Sequence, residues 1–404
     1  MNYIIKKITY SIFILVTLLL APHAKAAFSD GTFDQTFDTQ LGIDSGYIQA
    51  IKPLPDSKIL IAGNFQSFNG IVHNRIARLY QDGKLDTSFH TIKGADNVIT
   101  HILIQSDKKI LVGGLFSSYA SSNSKRYLAR LNEDGTLDST FTPAAMQSAP
   151  ALFLLQPNGK IIVGGGFFTP KRGLLRLNTN GTRDTTFNPG TGVVGGVESG
   201  VIQPDGKVLI GGNFTSYNGT PRNRIARVNS DGSLDASFDP GTGANFKVQA
   251  IALQSDGKIL VGGGTTIGST IPSYNSVTVT KLIRLNSDGS LDTSFDPGSG
   301  TQANLIANNT INSITIQEDG KILIGGKFSS YNGTPRNRIA RVNSDGSLDA
   351  SFDPGTGAEI SYPTFYSYVQ PVVIDNSKKL LIGGSFNSYN AISCKNIVRL
   401  TSTL

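Results

Sequence analysis

The 404-residue chain has no tryptophan, two methionines, four histidines and a single cysteine. One cysteine, Cys394, excludes an internal disulfide, so stability has to come from packing and chain topology. Cys394 itself reads as a small apolar filler or a loop thiol; with no histidine close in sequence, a nucleophile is the minor alternative. Beyond residue 26 the histidines are His73, His90 and His101, none at metal-ligand spacing, and no cofactor or metal site is expected. No block of lysine and arginine and no basic face is present, which argues against a nucleic-acid partner. Helical periodicity is missing throughout. Only one long apolar run occurs, over residues 8–21, behind Lys6 and Lys7 and ahead of Ala24-Lys25-Ala26. It is shorter than the roughly 20 residues of a spanning helix. It reads as a secretory signal peptide over 1–26, with 27–404 as the exported chain. Removing Lys6, Lys7 and Lys25 lowers the net charge from +7 to +4, too small a surplus to select a partner by charge. The expectation is a monomer that is not an integral membrane protein, placed in the periplasm or outside the cell.

Glycine is abundant, at 45 residues, and it falls in register with a repeat. Turn glycines stand at Gly31, Gly83, Gly135, Gly181, Gly232, Gly289 and Gly346, with spacings of 52, 52, 46, 51, 57 and 57 residues. An Arg and an Asp eight positions later bracket six of them: Arg78 and Asp86, Arg130 and Asp138, Arg176 and Asp184, Arg227 and Asp235, Arg284 and Asp292, Arg341 and Asp349. The seventh set is split, with Arg399 near the C-terminus and Asp34 near the start of the exported chain. Each unit reads as four short strands. Residues 249–253 form the first and 258–263 the second, an apolar run suited to a strand covered on both faces. Residues 224–228 and 233–238 give the third and fourth. Tight turns join them, as at Gln203-Pro204-Asp205-Gly206, where Pro presets φ and Gly supplies the left-handed conformation.

Short antiparallel strands in units of this length predict an all-β, seven-bladed β-propeller, four strands to a blade, closed by the N-terminal strand pairing with the C-terminal one. A bulged turn sets each Arg opposite its Asp, so the pairs read as structural cross-strand ion pairs that fix register. The double glycine after the second strand reads as close approach between blades, because a phosphate cradle would need it to open a helix. The stretch Asn229 to Asp235 superficially resembles a calcium loop, but the EF-hand pattern is missing and a hairpin turn suffices.

The phrases Arg284 to Gly298 and Gln203 to Phe214, repeated with their spacing in nearly every unit, resemble the delta-60 repeat family of bacterial exported proteins. That resemblance covers roughly 28–404 and implies a β-propeller whose general shape is kelch-like. It transfers no catalytic residue. Residues 216–244 and 330–358 are identical, which points to internal duplication and marks them as scaffold. Three connections break the pattern, 266–280, 297–312 and 354–371, and strand order gathers the long connections on one face. The last carries Tyr362, Phe365, Tyr366 and Tyr368, which can stack on a sugar ring or form a protein contact, or can simply pack on one another. The expected function is a non-catalytic binding protein for a protein or carbohydrate ligand. The alternatives are an envelope lyase or glycosidase using acids on the same loops, and a structural surface component.

Overall fold

The computed structural model describes residues 30–40, 42–91, 93–122, 125–168, 171–266, 271–303, 309–360 and 368–402. The expected signal peptide and Tyr362, Phe365 and Tyr366 lie outside these residues. All regular elements among them are β-strands, organised as seven three-stranded antiparallel blade sheets with short accessory sheets of two or three two-residue strands. The first strands of the seven sheets are Tyr47–Pro53, Ile99–Ile104, Pro150–Leu155, Val197–Ile202, Phe246–Leu253, Thr310–Ile316 and Tyr368–Ile374. Each packs on the first strand of the next sheet, and Tyr368–Ile374 packs on Tyr47–Pro53, so the order of neighbours returns to its start.

The fourth sheet shows how the sequence makes one blade. Val197–Ile202 turns through Gln203-Pro204-Asp205-Gly206 into Val208–Gly212, with the Gly206 amide donating to the Gln203 carbonyl at 2.9 Å and Gly206 at φ +82°. The middle strand is buried along its whole length because blades cover both its faces. Ile225–Val228 then pairs along its other edge, with Arg227 opposite Leu209.

The four-strand expectation needs correction. Beyond the outer strand, pairing is limited to one bridge per unit, Leu79 with Leu85, Val228 with Leu234 and Val342 with Leu348 among them. The reason lies in the next residues. Asp235 Oδ1 accepts both the Ser237 amide, at 3.0 Å, and its hydroxyl, at 2.7 Å. Such side-chain turns compete with the ladder and pull the chain out of it. In the seventh sheet Phe33 bridges Leu400, and the Asp34 amide donates to the Arg399 carbonyl at 2.8 Å.

Seven apolar clusters account for the core, and each lies at a junction between consecutive blades. The junction of the last blade with the first is packed like the others: Leu381 and Ile397 meet Phe37, Ile43 and Ile48. The double glycine serves two neighbours at once. A Cβ on Gly211 would lie 2.4 Å from Val248 in the next blade, and one on Gly212 would lie 2.1 Å from the Gly196 carbonyl of its own.

Candidate functional site

The most conspicuous charges form seven near-copies of one arrangement. In the fourth blade Arg227 Nε donates to Asp235 Oδ2 at 2.6 Å, and Nη2 donates to the Ser237 hydroxyl at 3.0 Å. Nη1 crosses to the next blade and donates to the Ser287 carbonyl at 2.6 Å, while the guanidinium lies 5.1 Å from the Phe238 ring centre. Lys207, from the start of the middle strand, adds a second cation to Asp235 at 2.9 Å. The Nε contact runs from 2.6 to 2.8 Å over all seven sets. The split set has it too: Arg399 and Lys379 both meet Asp34 at 2.7 Å. Arg341 Nη1 lies 2.7 Å from the Asp30 carboxylate.

Burial pushes the Asp235 carboxyl up, but hydrogen bonds from Ser237, Lys207 and Arg227 outweigh it and hold the group well below the usual carboxylate range. Asp34, Asp86, Asp138, Asp184, Asp292 and Asp349 balance the same way. Acids so saturated hold fixed anionic charge and are poor proton donors near neutral pH. The lysine and the inter-blade carbonyl were not foreseen. The lysine had a signal, since it follows Asp-Gly at the head of the second strand in several units, as Lys207 and Lys258 do.

The remaining titratable groups are scattered. His73 is buried with Nδ1 2.9 Å from the Thr91 hydroxyl, and burial lowers its pKa. His101 lies edge-on to Phe153 at 6.0 Å, and burial lowers it to about 4 against a weaker opposing bond from the Ala151 backbone. His90 follows the blade-one Phe, and its amide donates to the Asp134 carbonyl at 2.7 Å. Cys394 is buried in the last blade's core, which pushes the thiol up to about 12. Among the described residues no three His, Cys, Asp or Glu are grouped to hold a metal ion. In the calcium-like stretch, Asp231 instead accepts the Ser233 amide and hydroxyl at 2.8 and 2.7 Å.

Of the four aromatics singled out in the last long connection, Tyr368 is described. It opens the first strand of the seventh blade, half-buried, with its hydroxyl donating to Gln49 Oε1 at 3.2 Å. Tyr47 packs edge-on at 6.2 Å and Lys327 Nζ stands 5.6 Å from the ring centre. Burial raises the Tyr368 phenol.

The other two pattern-breaking connections meet each other. Pro272, Val279 and Thr280 from the first and Lys281 just beyond it, with Ser299, Thr301, Gln302, Ala303 and Asn309 from the second, line a recess of about 440 Å³. Short pairing holds it in place: Thr301–Gln302 pairs with Ser330–Tyr331. Gly300, at φ +63°, passes so close to Thr280 that a Cβ would lie 2.6 Å from the threonine Cβ. No individual residue of this recess was marked by the sequence, because a break in a repeat has no template to be read against.

A family model described as a domain of unknown function (DUF5122) beta-propeller matches residues 54–89, 105–141, 156–187, 203–238, 254–295, 317–352 and 376–403. Among solved structures, the chain is similar to the WD40 β-propeller domain of Doa1, with TM-score 0.56 and 13% identity, covering 94% of this chain and 98% of that one. The extracellular domain of a putative hybrid two-component system from B. thetaiotaomicron has TM-score 0.53 and 13% identity, covering 93% of this chain and 40% of that one. Virginiamycin B lyase from Staphylococcus aureus has TM-score 0.50 and 13% identity, covering 90% and 98%. At these identities the likeness is one of fold. No curated protein matches the chain.

Proposed function

The chain belongs to the DUF5122 β-propeller family, and from that premise we propose that it is an exported, non-catalytic binding protein that takes a protein or glycan ligand on its long-connection face. The observation that carries this reading is the recess between the fifth and sixth blades, formed where two of the three departures from the repeat come together. A scaffold that repeats seven times gives no reason for those departures, and loops on a rigid frame are where binding concentrates. The seven Arg–Asp sets are engaged within blades and across blade junctions, which leaves the recess lined by hydroxyls, amides and Lys281. An extracellular domain among the structural relatives fits export of a propeller of this kind.

The same proposal includes the sealing of the ring by the N-terminal segment as the outermost strand of the seventh blade. It is supported by the Phe33 to Leu400 bridge and by the Gly31 amide donating to the Thr401 carbonyl at 3.0 Å. The test is capture by purified 27–404 from a panel of glycans and envelope proteins, followed by hydrogen-exchange mapping with the captured ligand. Protection should concentrate in 271–281 and 297–303. Protection confined to the Asp-Gly turns at the opposite end of the sheets would place the ligand on the wrong face and end this reading.

A further inference from the structure

We infer that the recess between the fifth and sixth blades binds a carboxylate-bearing sugar, a uronic acid residue of an acidic glycan, with Lys281 as its counter-ion. The inference rests on the reading that the long-connection face binds a ligand, and it names the chemistry.

Lys281 is 6% exposed. Its Nζ donates to the Asn309 carbonyl at 2.7 Å, and an ammonium has three N–H bonds to place. No carboxylate forms an ion pair with it among the described residues, and burial lowers its pKa. Asn309 ties the recess together, since its Nδ2 donates to the Thr301 carbonyl at 2.5 Å. Two polar atoms of the lining are buried without a partner, Asn309 Oδ1 and Thr301 Oγ1, and Thr310 Oγ1, in the residue after Asn309, is a third. Thr301 is 5% exposed. Buried polar atoms are seldom left unpaired, and several in one recess mark a place where something else supplies the partners.

The next blade shows what is missing. There Arg338 stands where Lys281 stands here; burial lowers its pKa, and the Glu359 carboxylate opposes that without forming an ion pair. Glu359 follows Ala358 in a short strand paired with Ser388–Tyr389, just as Gln302 follows Thr301 in the strand paired with Ser330–Tyr331. The position that gives an acid to Arg338 gives an amide to Lys281, and that amide is engaged with the Ser330 hydroxyl at 3.1 Å. Lys281 is a buried cation with no acid at that position, as is the half-buried Arg224 of the fourth blade, beside Asn245.

A ligand that completes this set needs an anion for Lys281 and a hydroxyl donor for Asn309 Oδ1. A sulfate ion satisfies the first and not the second; a neutral sugar does the reverse. A uronic acid carries both, and the volume of about 440 Å³ suits one or two sugar rings.

The experiment is calorimetric titration of 27–404 with digalacturonate and diglucuronate, against their neutral disaccharide counterparts and sodium sulfate, repeated on Lys281→Met and Thr301→Val. A uronate should bind at least tenfold more tightly than its neutral counterpart. Lys281→Met should weaken it at least tenfold and Thr301→Val severalfold. Lys281→Met should melt no lower than the parent, since it removes a desolvated cation without a paired acid. Equal binding of the neutral sugar, undiminished binding by Lys281→Met, binding of sulfate alone, or no binding of either uronate each overturns the assignment. If another glycan or a protein still protects 271–281 and 297–303, the binding face stands and only its chemistry is wrong. If no captured ligand protects that face, both readings fall.

Discussion

Removing one member at a time from the fourth-blade ion-pair set separates charge from geometry. Arg227→Ala deletes the Nε contact to Asp235, the bond to Ser237 and the inter-blade bond to the Ser287 carbonyl. Lys207, at 2.9 Å, still neutralises Asp235. The loss therefore belongs at the lower end of the about 3–5 kcal/mol for breaking a buried pair. Asp235→Ala leaves Arg227 and Lys207 both without their acid and belongs at the upper end. The Lys207 side chain is 31% exposed, so Lys207→Ala should cost no more than about 1 kcal/mol. With an unfolding entropy of about 2.1 cal/mol/K per residue, some 370 residues give about 0.8 kcal/mol per degree. The melting temperature should fall by about 1 °C for Lys207→Ala, about 4 °C for Arg227→Ala and about 5 to 6 °C for Asp235→Ala. Arg227→Lys keeps the charge but cannot reach three directions with a planar fork, so it should lose at least half of what Arg227→Ala loses. Calorimetry and urea unfolding at pH 7 read these differences. Parental stability for Arg227→Lys, or a Lys207→Ala cost equal to that of Arg227→Ala, would refute the idea that guanidinium geometry matters.

Further outcomes follow from the same structure. The seven aspartates have folded pKa values below the unfolded value of about 3.9. Their stabilisation is complete above about pH 5 and drains away as pH falls past 4 toward the lower folded values; a melting temperature that already drops between pH 7 and 5 contradicts this. Gly212→Ala drives a Cβ against the Gly196 carbonyl, whereas Gly206→Ala has no heavy atom within 4 Å and only its φ of +82° to bear; urea midpoints should place Gly212→Ala well below Gly206→Ala, and equal midpoints would rule out backbone crowding. Deleting 30–37 strips Arg399 and Lys379 of Asp34 and bares the edge at Leu400, so light scattering should show self-association and melting should come several degrees lower. A monomer with unchanged melting would disprove the seal. Replacing Tyr366 and Tyr368 with Ala should leave the circular dichroism spectrum intact and reduce ligand capture; full capture removes that aromatic connection from the site.

Much of the blade was legible because its determinants are local. The turn glycines, the eight-residue offset from Arg to Asp and the apolar second strand all sit within one unit, and the structure places Arg227 and Asp235 as neighbours, amide to carbonyl at 2.9 Å. What escaped reading depends on the adjoining unit or on a competing short-range bond. The reach of Arg227 to Ser287 spans 60 residues and follows from how sheets stack. The truncated fourth strand follows from Asp235 capturing Ser237. Its Asp-x-Ser signature stands in the sequence, where the strand spacing of the repeat masks it. The recess escaped for another reason: Lys281 is informative only beside Arg338 and Glu359, a comparison that needs the blades superimposed.

At six junctions the arginine's partner in the adjoining blade is a peptide carbonyl: Glu133, Thr179, Ser230, Ser287, Ser344 and Gln81. The residue after each Phe likewise donates its amide to a turn carbonyl, as Asp239 does to Asp288. Contacts that address only the main chain are indifferent to which side chains their neighbour carries. A gene encoding such units can exchange, copy or reorder them by recombination and keep these polar joints at once, so that only the apolar side chains packed at each junction need to match. The 29 identical residues at 216–244 and 330–358 have the form such an exchange would leave behind. Diversification can then proceed blade by blade in the connections while the joints between blades stay unchanged.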